Sequence, residues 1–400
     1  MKGRRGLIAT LALGVATLAL AACGGGGKST GEVGGTYKVM ISGGADAGAQ
    51  TTQLVLGVTA AKAAVDVANA AGGINGKKIE LIESPDNADP QKALENLRAQ
   101  IAKDKPDAYL VSSGSVVAAA VAPILKQNNI IFLDSGNSAD TNKPAENPLA
   151  FHLAAPFTAV VDAYVPVFKE NNYKKVGILN GNSAYGKQFG ALAEERFKAA
   201  GYDVKRAEYD AKALDFTAEI ESVRAFNPDV LVFNGYGGPV GIVLKGITKV
   251  GWNVPIYGDT SVTSTPLVTT NPPDGLLGSP EVANLKVEVT KSVDAAKASQ
   301  HTKDGIAAMK KVGTVTATLN NCLNYDAIML LAAAGNYAKS TDATAIAKAL
   351  ENPEVTSNAK TMVYDTYPFS ATDHEPQLPV ETHTFVAPSP IKDGQLGAGV

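Results

Sequence analysis

Two doubly wound α/β lobes are the fold class that the sequence predicts, on three observations. Short β-rich runs alternate with helical periodicity from Tyr37 onward, and the alternation restarts after Pro156. Two strings of residues then recur in the same order at an offset of about 120 residues. Alternation of strand and helix implies a parallel sheet with helices on both faces.

The first strands are read at Tyr37 to Ser42, Lys78 to Ser84, Ala108 to Ser112 and Ile130 to Asp134. Between the first two, Leu54, Val58, Ala61, Val65 and Ala68 fall at steps of four and three, one buried helical stripe that stops at Gly72-Gly73. The next helix opens at Asp89-Pro90, a cap residue followed by proline at the first helical position. Past Pro156, strands are read near Lys175 to Asn180, Val204 to Tyr209 and Val230 to Asn234, with a helix carrying Phe189, Leu192, Phe197 and Ala200. The recurring strings are Lys105-Pro106-Asp107-Ala108-Tyr109-Leu110-Val111, echoed by Asn227-Pro228-Asp229-Val230-Leu231-Val232-Phe233, and Asn129 to Asp134, echoed by Asn253 to Asp259. In such sheets ligands sit beyond the carboxyl ends of the strands, so two lobes that face each other make a cleft.

Ahead of the lobes, Lys2, Arg4 and Arg5 form a basic head, Leu7 to Leu20 an uncharged apolar run, and Leu20-Ala21-Ala22-Cys23 a small-residue cleavage site. This is a secretory signal. It resembles a bacterial lipobox, in which Cys23 is acylated and becomes the first mature residue; the run is shorter than the ~20 residues a membrane span needs. Residues 23–35 are too poor in apolar side chains to bury anything and read as a flexible tether. Gly27-Lys28-Ser29 is not a phosphate loop, because the first glycine of that motif would fall at Ala22 and no strand precedes it.

About 365 residues remain, more than one hydrophobic core usually serves, which again favours two lobes. The net charge of −3 with interspersed signs gives no basic face for nucleic acid. With Cys23 acylated, Cys322 has no disulfide partner, and one Cys with four dispersed His residues builds no structural zinc site. No cofactor is expected. Gly181-Asn182-Ser183-Ala184-Tyr185-Gly186 is one residue too long for a nucleophile elbow, and His374 between Asp373 and Glu375 lacks a third ligand at usable spacing, so it is read as solvated and structural. An enzyme is therefore not expected.

The run Asn69-Ala-Ala-Gly-Gly-Ile-Asn-Gly-Lys-Lys-Ile-Glu-Leu81 followed by Asp89-Pro90 resembles the type I periplasmic binding proteins of the leucine/isoleucine/valine-binding class. The resemblance extends through Pro106-Asp107-Ala108, Ser112-Ser113-Gly114, Ala184-Tyr185-Gly186, Pro228-Asp229-Val230 with Gly235-Tyr236-Gly237, and Tyr325-Asp326-Ala327. It implies two Rossmann-like lobes joined by three crossover strands that close over a solute, with crossings near 153–156, 279–283 and 362–367. The lobes would then be 36–154 plus 282–363 and 155–281 plus 364–400, behind a signal peptide at 1–22. It also implies a monomeric solute-binding lipoprotein that captures an amino-acid-like molecule, a branched-chain amino acid or related amide, and delivers it to an ABC permease, touching the membrane through the lipid anchor only. A ligand-binding subunit of a sensory system is the alternative, and a secreted hydrolase a more distant one.

By the same resemblance Ser113 and Ser138 hold the solute's carboxylate. Independently of the family, Ser113, the amides after it and the N-terminus of a helix starting near Ser115 converge on one spot suited to a carboxylate; the alternative reading is that Ser112, Ser113 and Ser115 merely cap that helix. In the second lobe the resemblance assigns Tyr185 and Tyr236 to cover the solute and Asp259 to meet its ammonium, with Thr260 the choice if the alignment shifts by one. Gln53, in Thr51-Thr52-Gln53 where the family often has tyrosine, and Asn137, where it has a small apolar residue, are expected to make the wall more polar.

Overall fold

The computed structural model describes residues 35–43, 51–136 and 143–397, with the side chains of all but 51–53 and 184. The signal peptide, Cys23 and the tether through residue 34 lie outside the described residues. Among the described residues no helix is long and apolar enough to cross a membrane.

Two sheets form the core. The first joins β1 (Thr36–Ser42), β2 (Lys78–Ser84), β3 (Ala108–Val111), β4 (Ile131–Asp134) and β5 (Ala150–His152), all parallel, in the order β2-β1-β3-β4-β5. The second joins β6 (Lys175–Gly181), β7 (Asp203–Tyr209), β8 (Val230–Asn234), β9 (Ile256–Gly258), β10 (Leu285–Thr290) and β11 (His383–Val386), in the order β11-β10-β9-β8-β6-β7. Here β11 alone runs antiparallel. From β6 to β10 the order repeats that of the first sheet. Central strands β3, β4 and β8 are buried along their whole length, as parallel strands covered on both faces must be, whereas edge strands β2 and β7 carry exposed positions.

Helices cover both sheets: α1 (Thr51–Ala70), α2 (Pro90–Lys103) and α3 (Ser115–Gln127) on the first, then α4 (Phe157–Asp162), α5 (Tyr164–Glu170), α6 (Ala184–Ala199), α7 (Thr217–Arg224), α8 (Gly238–Lys249) and α9 (Thr260–Thr263) on the second. The later helices α10 (Gln300–Val312), α11 (Leu323–Ala338), α12 (Ala343–Leu350) and α13 (Pro353–Ser357) return to the first lobe, where α10 and α11 pack on α1. The stripe Leu54, Val58, Ala61, Val65 and Ala68 is buried. Asp89 caps α2 by accepting from the Gln91 and Lys92 amides at 2.8 and 3.3 Å, with Pro90 at its first position.

The internal echo has a physical basis. Asp107, just before β3, accepts from the Lys38 amide of β1 at 2.8 Å; Asp229, just before β8, accepts from the Lys174 and Lys175 amides at the start of β6 at 2.7 and 2.8 Å. The same carboxylate therefore fixes the same strand pair in each lobe.

Two boundaries differ from the expected ones. The strand β10 pairs with β9, so 285–290 belong to the second sheet and not to the first lobe, because this strand completes the repeated strand order. The passage back to the first lobe follows at 291–299. Residues 364–378 stay on the first lobe: Phe369 packs on Phe151 at 5.1 Å, and the His374 carbonyl accepts from the His152 amide. His374 itself is fully buried rather than solvated, stacked on Phe151 at 3.8 Å with Nδ1 2.8 Å from the Ala150 carbonyl.

Candidate functional site

The carboxyl ends of β1, β3 and β4 form one wall. Ser42 ends β1, and its hydroxyl accepts from the Ser112 amide at 2.9 Å. A cavity of about 440 Å³ opens beyond, lined by Leu54, Ala88, the loop Ser112 to Val116, Ser135, Gly136, Asn320 and Asn321. Gly136 comes so close to the start of α3 that a Cβ there would stand 2.9 Å from the Ser115 amide nitrogen. Gly114, at φ 89°, occupies the N-cap of α3, so among the described residues no side chain caps the first amides of that helix. These donors and the exposed Ser115 at the first helical position make the wall suited to an anionic group.

Ser113 lines this cavity but is buried, and its hydroxyl donates to Asp86 Oδ1 at 2.6 Å. Burial pushes the Asp86 carboxyl up, and the Ser113 hydroxyl opposes that shift. The proton of Ser113 is thus committed to Asp86, while Ser115, exposed at the first helical position where the sequence placed the convergence of donors, lines the same cavity. Asn137 and Ser138 lie outside the described residues, as does the side chain of Gln53.

The second wall is built by the ends of β6, β8 and β9. Tyr185, half-buried at the start of α6, packs on Phe157 at 4.8 Å and places its hydroxyl 3.2 Å from Thr260 Oγ1. Tyr236, 56% exposed, lines a second cavity of about 570 Å³ with Thr263, Ser264, Asn271, Thr318 and Asn321. Asn321 lines both cavities and so joins the two walls.

Asp259 does not face the cleft. It is fully buried, caps α9 by accepting from the Ser261 and Val262 amides at 3.2 and 3.3 Å, and accepts from Asn234 Nδ2 at 2.7 Å. Burial pushes its carboxyl up to about 7, with Asn234 opposing. A short strand leading straight into a helix turns the residue at the junction inward as a cap, and the half-exposed Thr260 is the neighbour that reaches Tyr185.

Asn320 and Asn321 were not found from the sequence. The available signal was a pair of amides in the otherwise apolar run between Leu319 and Leu323, shortly before Tyr325-Asp326-Ala327.

A profile described as periplasmic binding protein matches residues 44–383. The Leu/Ile/Val-binding protein homolog 3 of Brucella melitensis is 27% identical over 304 residues, covering 73% of this chain and 77% of that one. An amino acid binding protein of Pseudomonas aeruginosa is 26% identical over 218 residues, 53% of this chain; the match spans 57% of the length of that protein. Among solved structures, a branched chain amino acid ABC transporter periplasmic ligand-binding protein of Burkholderia xenovorans superposes with a TM-score of 0.69 at 15% identity, covering 90% of this chain and 96% of the other. A solute binding protein of an ABC transporter from Rhodopseudomonas palustris, in complex with 3,4-dihydroxy benzoic acid, gives 0.60 at 21% identity, covering 79% and 85%. These are solute-binding proteins and not enzymes. With its two parallel-sheet lobes and facing cavities, this chain belongs to the periplasmic binding protein family and has its type I fold.

Proposed function

We propose that the chain is a lipid-anchored extracytoplasmic receptor that captures a small amino-acid-like solute between its lobes and hands it to an ABC permease. The first-lobe cavity carries this reading. Its uncapped helix N-terminus, the Ser115 hydroxyl and the close approach of Gly136 offer several donors to a carboxylate without any basic side chain among the described lining residues. Relatives named for amino acids or for leucine, isoleucine and valine support the same solute class. In this reading the two sheets with their helices are the bodies that close, and Tyr185 and Tyr236 cover the solute from the second lobe.

The full chain mixed with a pool of amino acids and small amides, then repurified, should retain a solute detectable by mass spectrometry. Added back, that solute should reduce the radius of gyration in solution scattering and raise the melting temperature by mass action. Retention of nothing from the pool would remove the proposal. Anchoring is tested separately: Cys23→Ala should abolish incorporation of labelled fatty acid, and incorporation at the wild-type level would refute acylation at this thiol. Two or three acyl chains are expected, since one binds membranes only marginally.

A further inference from the structure

The base of the cleft holds two amides whose remaining hydrogen-bonding capacity is defined. Asn320 and Asn321 belong to a short 3-10 turn, Leu319–Cys322, leading into α11. Asn320 Oδ1 accepts from Thr290 Oγ1, at the end of β10 in the second sheet, at 2.8 Å. What remains to Asn320 is its NH2 group, two donors. Asn321 Nδ2 donates to the Thr318 carbonyl at 3.2 Å, which leaves one N–H and the Oδ1 acceptor. Both side chains are half-buried, and Asn321 lines both cavities.

We infer that these two residues set the specificity of the site by reading a carboxamide or urea-type group on the solute. The inference rests on the proposed binding function and narrows its solute class. The pair offers three N–H donors and one carbonyl acceptor, which complements a group that presents a carbonyl oxygen and N–H together. A hydrocarbon side chain leaves the amides without partners when the lobes close, and a carboxylate side chain sets a negative charge against the Asn321 carbonyl. Sites built to pair with polar groups reject analogues that lack them far more strongly than apolar pockets reject a misfit.

L-asparagine, L-leucine and L-aspartate are nearly isosteric and test this directly by calorimetry on the full chain. The wild type should bind asparagine at least about tenfold more tightly than either of the others. In Asn321→Leu the asparagine-to-leucine ratio should fall below about threefold, and Asn320→Ala should narrow it as well; melting temperatures report whether each variant is folded. Equal wild-type affinity for leucine and asparagine, or folded variants that weaken both alike, overturns the assignment. If none of the three amino acids binds, the amino-acid reading falls, and acetamide and urea decide the inference. Saturable binding that is lost in Asn321→Leu upholds it, and no binding overturns it.

Discussion

Replacing Asp326 with alanine is expected to lower the unfolding free energy by about 3–5 kcal/mol, one of the two largest effects anticipated in this chain. Asp326 lies in α11 and is fully buried. Its Oδ1 accepts from the Met362 amide at 2.5 Å and the Val363 amide at 3.2 Å; its Oδ2 accepts from the amides of Val363 and Tyr364 at 3.0 and 3.3 Å and from the Tyr367 hydroxyl at 2.5 Å. Alanine leaves three backbone N–H groups and a phenol buried without their acceptor, each at a cost of about 1–3 kcal/mol. The net loss is smaller than the sum because the carboxyl is itself held at a cost: burial pushes it up to about 7 against those donors. Asp326→Asn keeps one acceptor oxygen and should lose less. Urea unfolding measures both variants, and a loss under about 1 kcal/mol in Asp326→Ala would mean that segment 362–367 finds other partners. That segment continues to the passage into β11, so Asp326 also ties a connection between the lobes to the first of them.

The same aspartate shows how far the sequence could be read. Tyr325-Asp326-Ala327 was legible as a motif, but its role depends on a turn at 362–364 that no local pattern announces. The central strands β3, β4 and β8 were legible because they are apolar runs bounded by Gly, Pro and Asp, the edge strands β2 and β7 because they alternate, and the lobe repeat because Asp107 and Asp229 do the same work. Strand β10 was missed: Leu-Lys-Val-Glu-Val-Thr alternates like a half-exposed strand, yet Glu288 is buried against His383, whose Nδ1 lies 2.9 Å from its Oε1. In the site, loop positions were legible and orientations were not. Ser113 and Asp259 each stand in the expected loop, but each is engaged by a buried partner: the Ser113 hydroxyl, at the cavity wall, donates to Asp86, and the Asp259 carboxylate accepts from Asn234. Such partners are distant in sequence, and spacing alone does not find them.

Asp259 therefore supplies the second large prediction, one of stability rather than affinity. Its carboxyl is raised from 3.8 to about 7, first by burial, with Asn234 opposing and the charge of buried Glu288 adding to the rise. A folded-state pKa above the unfolded value means that the folded chain binds the extra proton between about pH 4 and pH 7. The favourable contribution is complete below pH 4 and is lost as pH rises through 7; for this one group the shift corresponds to on the order of 4 kcal/mol. Asp259→Asn removes the titration while keeping an oxygen for the Ser261 and Val262 amides, and rotation of the Asn234 amide lets the two side chains pair again. Urea unfolding from pH 4.5 to 8 should show wild-type stability falling with pH and a shallower fall in Asp259→Asn. Because the carboxylate is walled off from the cleft, affinity for the retained solute should change by less than about threefold. Equal slopes for the two proteins would show that Asp259 does not take up its proton in that window, and a loss of affinity of about thirtyfold or more, as for a severed buried charge pair, would place Asp259 against the solute after all.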